Sequence, residues 1–167
     1  MKKRKKILAM ISIVISVACL KETVNAATYV HVLKWDLVDS SKHLDWSGST
    51  KYSKRFNLAV DTWNAYKSGV IRKSSSSSAT DVVISDYSEV SSTAGVTSSA
   101  GTIKFNTYVL ENRTKKERRN CCTHELGHAL GLAHNQKGDV MYSKITSIVK
   151  LSANDKASYD WAYKYEY

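Results

Sequence analysis

An α+β domain is the fold class this sequence predicts, and three observations carry it. Residues 29–37 and 102–106 alternate apolar and polar side chains with a period of two, the pattern of strands buried on one face. Tyr52, Phe56, Ala59, Trp63 and Tyr66 recur at three- and four-residue steps, which wind into one apolar stripe along a helix. A third stretch, HELGHALGLAH at residues 124–134, sets two imidazoles four apart, a spacing that a helix turns into a single face.

Taken in order, residues 29–37 are the opening strand, with Tyr29, His31, Leu33, Trp35 and Leu37 on one side; His31 is a strand residue rather than a ligand. Ser49 and Thr50 are cap candidates for the amphipathic helix, which ends near Gly69 and backs the sheet. Residues 70–72 make a short strand, the serine tract 74–78 a loop with no chemistry of its own, and residues 81–85 a buried strand. Ser, Thr and Gly crowd residues 86–101, after which Ile103 and Phe105 point inward from the next strand. A last helix opens with Ser152 as N-cap and Asp155 in the first turn, where the helix dipole favours negative charge. Ala157, Trp161 and Tyr165 give that helix its packing face.

Residues 124–134 also carry the chemistry. His124 and His128 aim their rings at one point from adjacent turns. A continuous helix would carry His134 roughly 9 Å further along the axis than His128, whereas Zn–N bonds are about 2.1 Å. The helix therefore has to stop between them. Gly131 supplies the means, because a residue without Cβ readily takes the left-handed conformation that ends a helix. Three protein ligands, His124, His128 and His134, leave a fourth position on a zinc ion for water, which separates catalytic from closed structural sites. Glu125 is the general base that such a motif provides. Paired His residues around a Glu also occur in ordinary helices; the added Gly and third His at fixed spacing set this stretch apart.

The extended motif, followed by GDVMYS at residues 138–143, resembles the signature of the metzincin metallopeptidases. Met141 stands seven residues after His134, a short separation similar to that of the matrixin branch. LSANDKASYDWAY, residues 151–163, is similar to the segment that opens the matrixin C-terminal helix. The resemblance implies a metzincin-like fold: a twisted, mostly parallel sheet with a backing helix and an active-site helix, then a small C-terminal subdomain with a Met-turn and C-terminal helix. It implies that Met141 floors the zinc ligands as a packing residue. It also implies an edge strand, falling within residues 90–99, that captures extended substrate backbone by strand addition. One catalytic zinc and peptide-bond hydrolysis follow from the same likeness, the metal polarising the carbonyl and acidifying its water while Glu125 carries the proton to the leaving amine. Residues 86–101 contain no His, which argues against the second zinc of many matrixins; Asp86 and Glu89 offer oxygens to calcium, with nothing further to support it. Ser143 stands where matrixins usually carry Pro, so the wall of the specificity pocket does not follow by analogy. Two function classes stay open, a protease and an extracellular binding protein that keeps the zinc fold without turnover; a third, a small-molecule or cell-wall hydrolase on the same zinc motif, is disfavoured by the methionine-turn resemblance. Chelator-sensitive cleavage separates the first two.

A cationic head, MKKRKK, an apolar run at residues 7–20 and the small-residue ending Val24-Asn25-Ala26 predict a secretory signal peptide at residues 1–26, with residues 27–167 as one catalytic domain. An uncleaved anchor and a lipoprotein at Cys19 are the weaker alternatives. The expectation is a secreted monomer without a visible propeptide, off the membrane after signal cleavage and acting on a protein or peptide in extended form. Net charge is +10 for the whole chain, but residues 1–26 hold six of the 25 cations and one of the 15 acids, leaving +5 beyond Ala26. That balance argues against a dedicated nucleic-acid binder. Arg113, Lys115, Lys116, Arg118 and Arg119 cluster before the zinc helix, as a solvated face or, on the sharper reading, as an attraction for an anionic surface or substrate. Cys121 and Cys122 are predicted to be reduced, buried thiols; a thiolate reaching zinc or a redox switch is the alternative.

Overall fold

A computed structural model describes residues 28–76 and 78–167, and the signal peptide expected at residues 1–26 lies outside the described residues. In chain order the elements are β1 (Leu44–Gly48), α1 (Ser53–Asn64), β2 (Ile71–Lys73), β3 (Val82–Tyr87), β4 (Gly95–Ser98), β5 (Thr102–Asn106), α2 (Thr107–Leu110), α3 (Lys115–Ala129) and α4 (Ala153–Tyr165). The five strands form one mixed sheet in the order β2-β1-β3-β5-β4. The pairs β1–β2, β1–β3 and β3–β5 are parallel, while β4 runs antiparallel to β5 and forms an edge. This α+β arrangement is compatible with a metzincin-like fold.

The core sits between the sheet and the helices α1 and α3. Phe56, Ala59 and Trp63, the buried stripe of α1, meet Ile84, Ile103 and Phe105 from the sheet in one apolar cluster. Phe56 packs edge-on to both Trp46 and Phe105. Trp63, fully buried, donates its indole N–H to the Thr123 carbonyl at 2.9 Å, which couples α1 to the middle of α3. The backing helix thus fixes where the motif-bearing helix lies. No helix among the described residues is long and apolar enough to cross a membrane.

Three sequence expectations need correcting. Residues 29–37 are not a strand of the sheet: only Val32 makes a bridge, antiparallel, to Leu132. Period-two alternation reports extended backbone, not a partner, and here the extended segment binds the end of α3. Leu33 and Leu37 donate to the carbonyls of Gly131 and Ala129 at 2.7 and 2.9 Å, and Ala133 donates to that of His31 at 3.1 Å. The opening strand is β1, whose sequence LDWSG is buried as two adjacent residues followed by half-buried ones and so shows no alternation. In α4 the buried face is Asp155, Ser158, Tyr159 and Ala162, whereas Trp161 and Tyr165 are exposed. Four-residue steps describe several faces of one helix, and the burial of Asp155 selects between them. At α1, Ser49 and Thr50 do not occupy the N-cap; Tyr52 does, with Thr50 Oγ1 accepting from its backbone N–H.

Candidate metal centre and active site

Helix α3 begins with a capping box in which Thr114 accepts from the Glu117 N–H while Glu117 returns a bond to the Thr114 N–H. It ends at Ala129 in a Schellman motif: Leu132 donates to the Gly127 carbonyl and Gly131 to the His128 carbonyl, each at 2.9 Å. Gly131 has φ +80°, and the chain reverses there. Termination at Gly131 is what returns His134 to the face already holding His124 and His128. The ring centroids of the three histidines lie 4.6, 5.0 and 5.2 Å apart. One ligand atom from each lies within 4.8 Å of the others.

Protonation states follow from the neighbours. The Nδ1 of His124 lies 3.0 Å from the Val140 carbonyl, and that of His128 lies 2.8 Å from the Leu132 carbonyl. A carbonyl only accepts, so each Nδ1 carries the proton and each Nε2 keeps a free lone pair. Burial, helped by the neighbouring imidazoles, holds His124 down to about 3, and burial also lowers His128. Neutral imidazoles with oriented lone pairs are the donor set zinc takes, and backbone carbonyls on the far ring nitrogens are the partners such ligands use. The residues present therefore fit a zinc ion.

Glu125 is almost fully buried beside this cluster. Its Oε2 accepts from the Thr97 hydroxyl at 2.7 Å, and the same hydroxyl lies 2.9 Å from the Glu125 carbonyl. Burial pushes the carboxyl up to about 7, with the Thr97 bond opposing. Gly95 lies so close that a Cβ there would meet the carboxyl group at 2.8 Å, so the edge strand presses directly on the candidate base. Beneath the centre, Met141 is fully buried with its sulfur against Gly127, leaving no room for a Cβ at that position. The four motif residues of the sequence analysis are thus brought together, with Gly131 at the turn and Met141 below.

Sequence reasoning missed three supporting residues. Asp155, expected only to face a helix dipole, accepts with its buried side chain from the backbone N–H groups of Val140 and Met141 at 2.9 and 3.1 Å, pinning the segment that carries Met141 to α4. His31 holds its Nδ1 3.0 Å from the His134 carbonyl, supporting the backbone of the third imidazole. Thr97 lies 28 residues before Glu125 and carried no local signal. Asp86, considered for calcium, accepts from the Thr50 hydroxyl and the Lys51 N–H with its two oxygens. Cys121 and Cys122 are buried and unpaired, and burial raises both thiols, so neither is poised as a thiolate.

Three imidazoles converging from a helix that breaks at a glycine, with a buried glutamate between the first two in sequence, belong to the metzincin-type zinc metallopeptidases. Comparison with known proteins makes the assignment more specific. The family model of Peptidase M43, described as pregnancy-associated plasma protein-A, matches residues 52–159, and the chain belongs to that family. The matched span contains His124, Glu125, His128 and His134. Among solved structures the fold is similar to a chain in the GM1 bound form of the ECX AB5 holotoxin. That likeness has a TM-score of 0.53 and 15% sequence identity, and covers 81% of this chain and 87% of the other, which shows the fold alone. No curated protein matches the chain.

Proposed function

We propose that this chain is a secreted zinc endopeptidase that cleaves peptide bonds of extended protein segments outside the cell. The single observation that carries the reading is the convergence of His124, His128 and His134, with ligand atoms within 4.8 Å of one another, in a cleft that the buried Glu125 also lines. The three imidazoles would hold the ion. When bound, zinc supplies a Lewis acid for a carbonyl oxygen and lowers the pKa of a water to near neutrality. Glu125 takes the proton from the attacking water and delivers it to the nitrogen of the leaving amine as the C–N bond breaks. A carboxyl near 7 both accepts and releases a proton at neutral pH, which suits that double duty. The Thr97 hydroxyl holds one carboxyl oxygen in place. The outer side of β4, at the sheet edge, offers backbone groups to an extended peptide.

Secretion is supported by the cationic and apolar pattern at the start of the chain. A matrixin-like branch is supported by the short step from His134 to Met141 and by the Ser152 start of α4. The test is Glu125→Gln. This variant should keep about one zinc per chain by elemental analysis while its cleavage of unfolded casein falls by a factor on the order of 10²–10⁴. Parental turnover in the variant overturns the role of Glu125, and zinc-loaded parent protein that cleaves nothing points instead to a fold that binds without turnover.

A further inference from the structure

The cationic cluster at the start of α3 includes, in the folded chain, two structural members and one that lines the cleft. Arg118 spends its guanidinium on the Leu110 and Glu111 carbonyls, both at 2.7 Å, and Arg119 donates to the Thr62 hydroxyl at 2.9 Å. Arg113, two residues before the helix, lines the same cleft of about 810 Å³ as the three imidazoles. Lys144, after the methionine turn, lines it too. Both side chains are exposed. Arg113 is 3.5 Å from Glu117, which does not line the cleft, and Lys144 has no ion pair among the described residues. Glu125 is the one acidic residue in the lining, and its carboxyl is held by the Thr97 hydroxyl.

The wall bearing Lys144 is held in position. Asn120, one turn before His124 and buried, accepts from the Thr146 N–H at 2.9 Å and donates to the Ile148 carbonyl at 2.7 Å. The segment after Met141 is thereby tied to the first half of α3, through a residue that lines the same cleft as Arg113 and Lys144. Two cations with little local compensation attract carboxylates entering the cleft and disfavour basic side chains there.

We propose that this part of the cleft selects an acidic side chain, Asp or Glu, beside the scissile bond of the bound peptide, with Lys144 and Arg113 as its recognition residues. The inference rests on the endopeptidase reading for the position of the scissile bond. Its test uses quenched-fluorescent peptides that differ only in Glu, Gln or Lys at one position on either side of that bond. Their kcat/KM is measured with the zinc-loaded chain, and their affinity by fluorescence anisotropy with Glu125→Gln protein. The Glu peptide should be favoured over the Lys peptide at least about fivefold in both readouts, and added salt should erode the ratio. Lys144→Glu combined with Arg113→Glu should reverse the order. Equal values for the three peptides, or a preference that survives both reversals, overturns the assignment. If the double variant does not fold, the ratio in the parent and its decrease in Lys144→Gln decide. Absence of cleavage of any peptide overturns the hydrolytic reading instead, while the binding order still decides this inference.

Discussion

A single hydroxyl joins the sheet edge to the candidate base. Thr97 lies within hydrogen-bond distance of both Oε2 and the backbone carbonyl of Glu125, yet a hydroxyl has one proton to donate. When that proton is donated to Oε2, the carboxyl group is fixed in direction, with Gly95 of the same strand packed against it. Thr97→Val removes the donor and keeps a branched side chain of similar outline. The expected result is a kcat lower by about 10- to 100-fold with zinc content unchanged, as for other residues that orient an active group. Thr97→Ser should recover most of the loss, and a Val variant with parental kcat removes Thr97 from the catalytic arrangement. His124, Glu125, His128 and His134 were legible in the sequence because eleven consecutive residues encode them on one helix and its turn. Thr97, His31 and Asp155 were not, because each reaches the site from an element whose place is set by long-range packing, and none has a neighbour in the motif that announces it.

Helix ends set the geometry at the next scale. The Schellman turn after Ala129 satisfies the last carbonyls of α3 and redirects the chain in three residues, and it requires the positive φ of Gly131. Replacement by Ala adds the cost of a left-handed residue with a Cβ, about 1–2 kcal/mol. That Cβ would also come to 3.2 Å from the Asp36 Cβ in the segment bound across the turn. Gly131→Ala should therefore lower the denaturation midpoint of the zinc-loaded protein and weaken zinc retention in a chelator competition. Parental values in both measurements would mean that the turn does not set the position of His134. Elements with local punctuation were read correctly: Ser152 caps α4, and β5 runs over the alternating residues Thr102–Asn106. Elements defined by partners were not. Residues 29–37 alternate like a strand, yet find their hydrogen bonds on a helix end, and β1 becomes a strand because β2 and β3 lie on either side of it.

At the scale of the whole molecule, the candidate centre is a liability to the metal-free fold, and pH reveals it. Burial raises Glu125 from 4.5 to about 7, so the unfolded chain ionises this group before the folded chain does. Its contribution to stability is complete below pH 4.5 and is lost as pH rises through 7, by about 3 kcal/mol in all. His124 has the opposite slope: lowered from 6.5 to about 3, it contributes stability above pH 6.5 that is lost as pH falls toward 3. Comparing the metal-free parent with metal-free Glu125→Gln cancels the histidine contribution, because both proteins carry His124. Denaturant unfolding should then show the Gln variant gaining on the parent by about 3 kcal/mol between pH 4.5 and pH 7, with the gap constant above that window. Saturating zinc should narrow the gap, since a dication beside the carboxyl favours its charged form. A gap that does not change with pH in the metal-free proteins would mean that Glu125 is not held in a desolvated pocket, and its burial between α3 and β4 would lose its meaning for the proton transfer assigned to it.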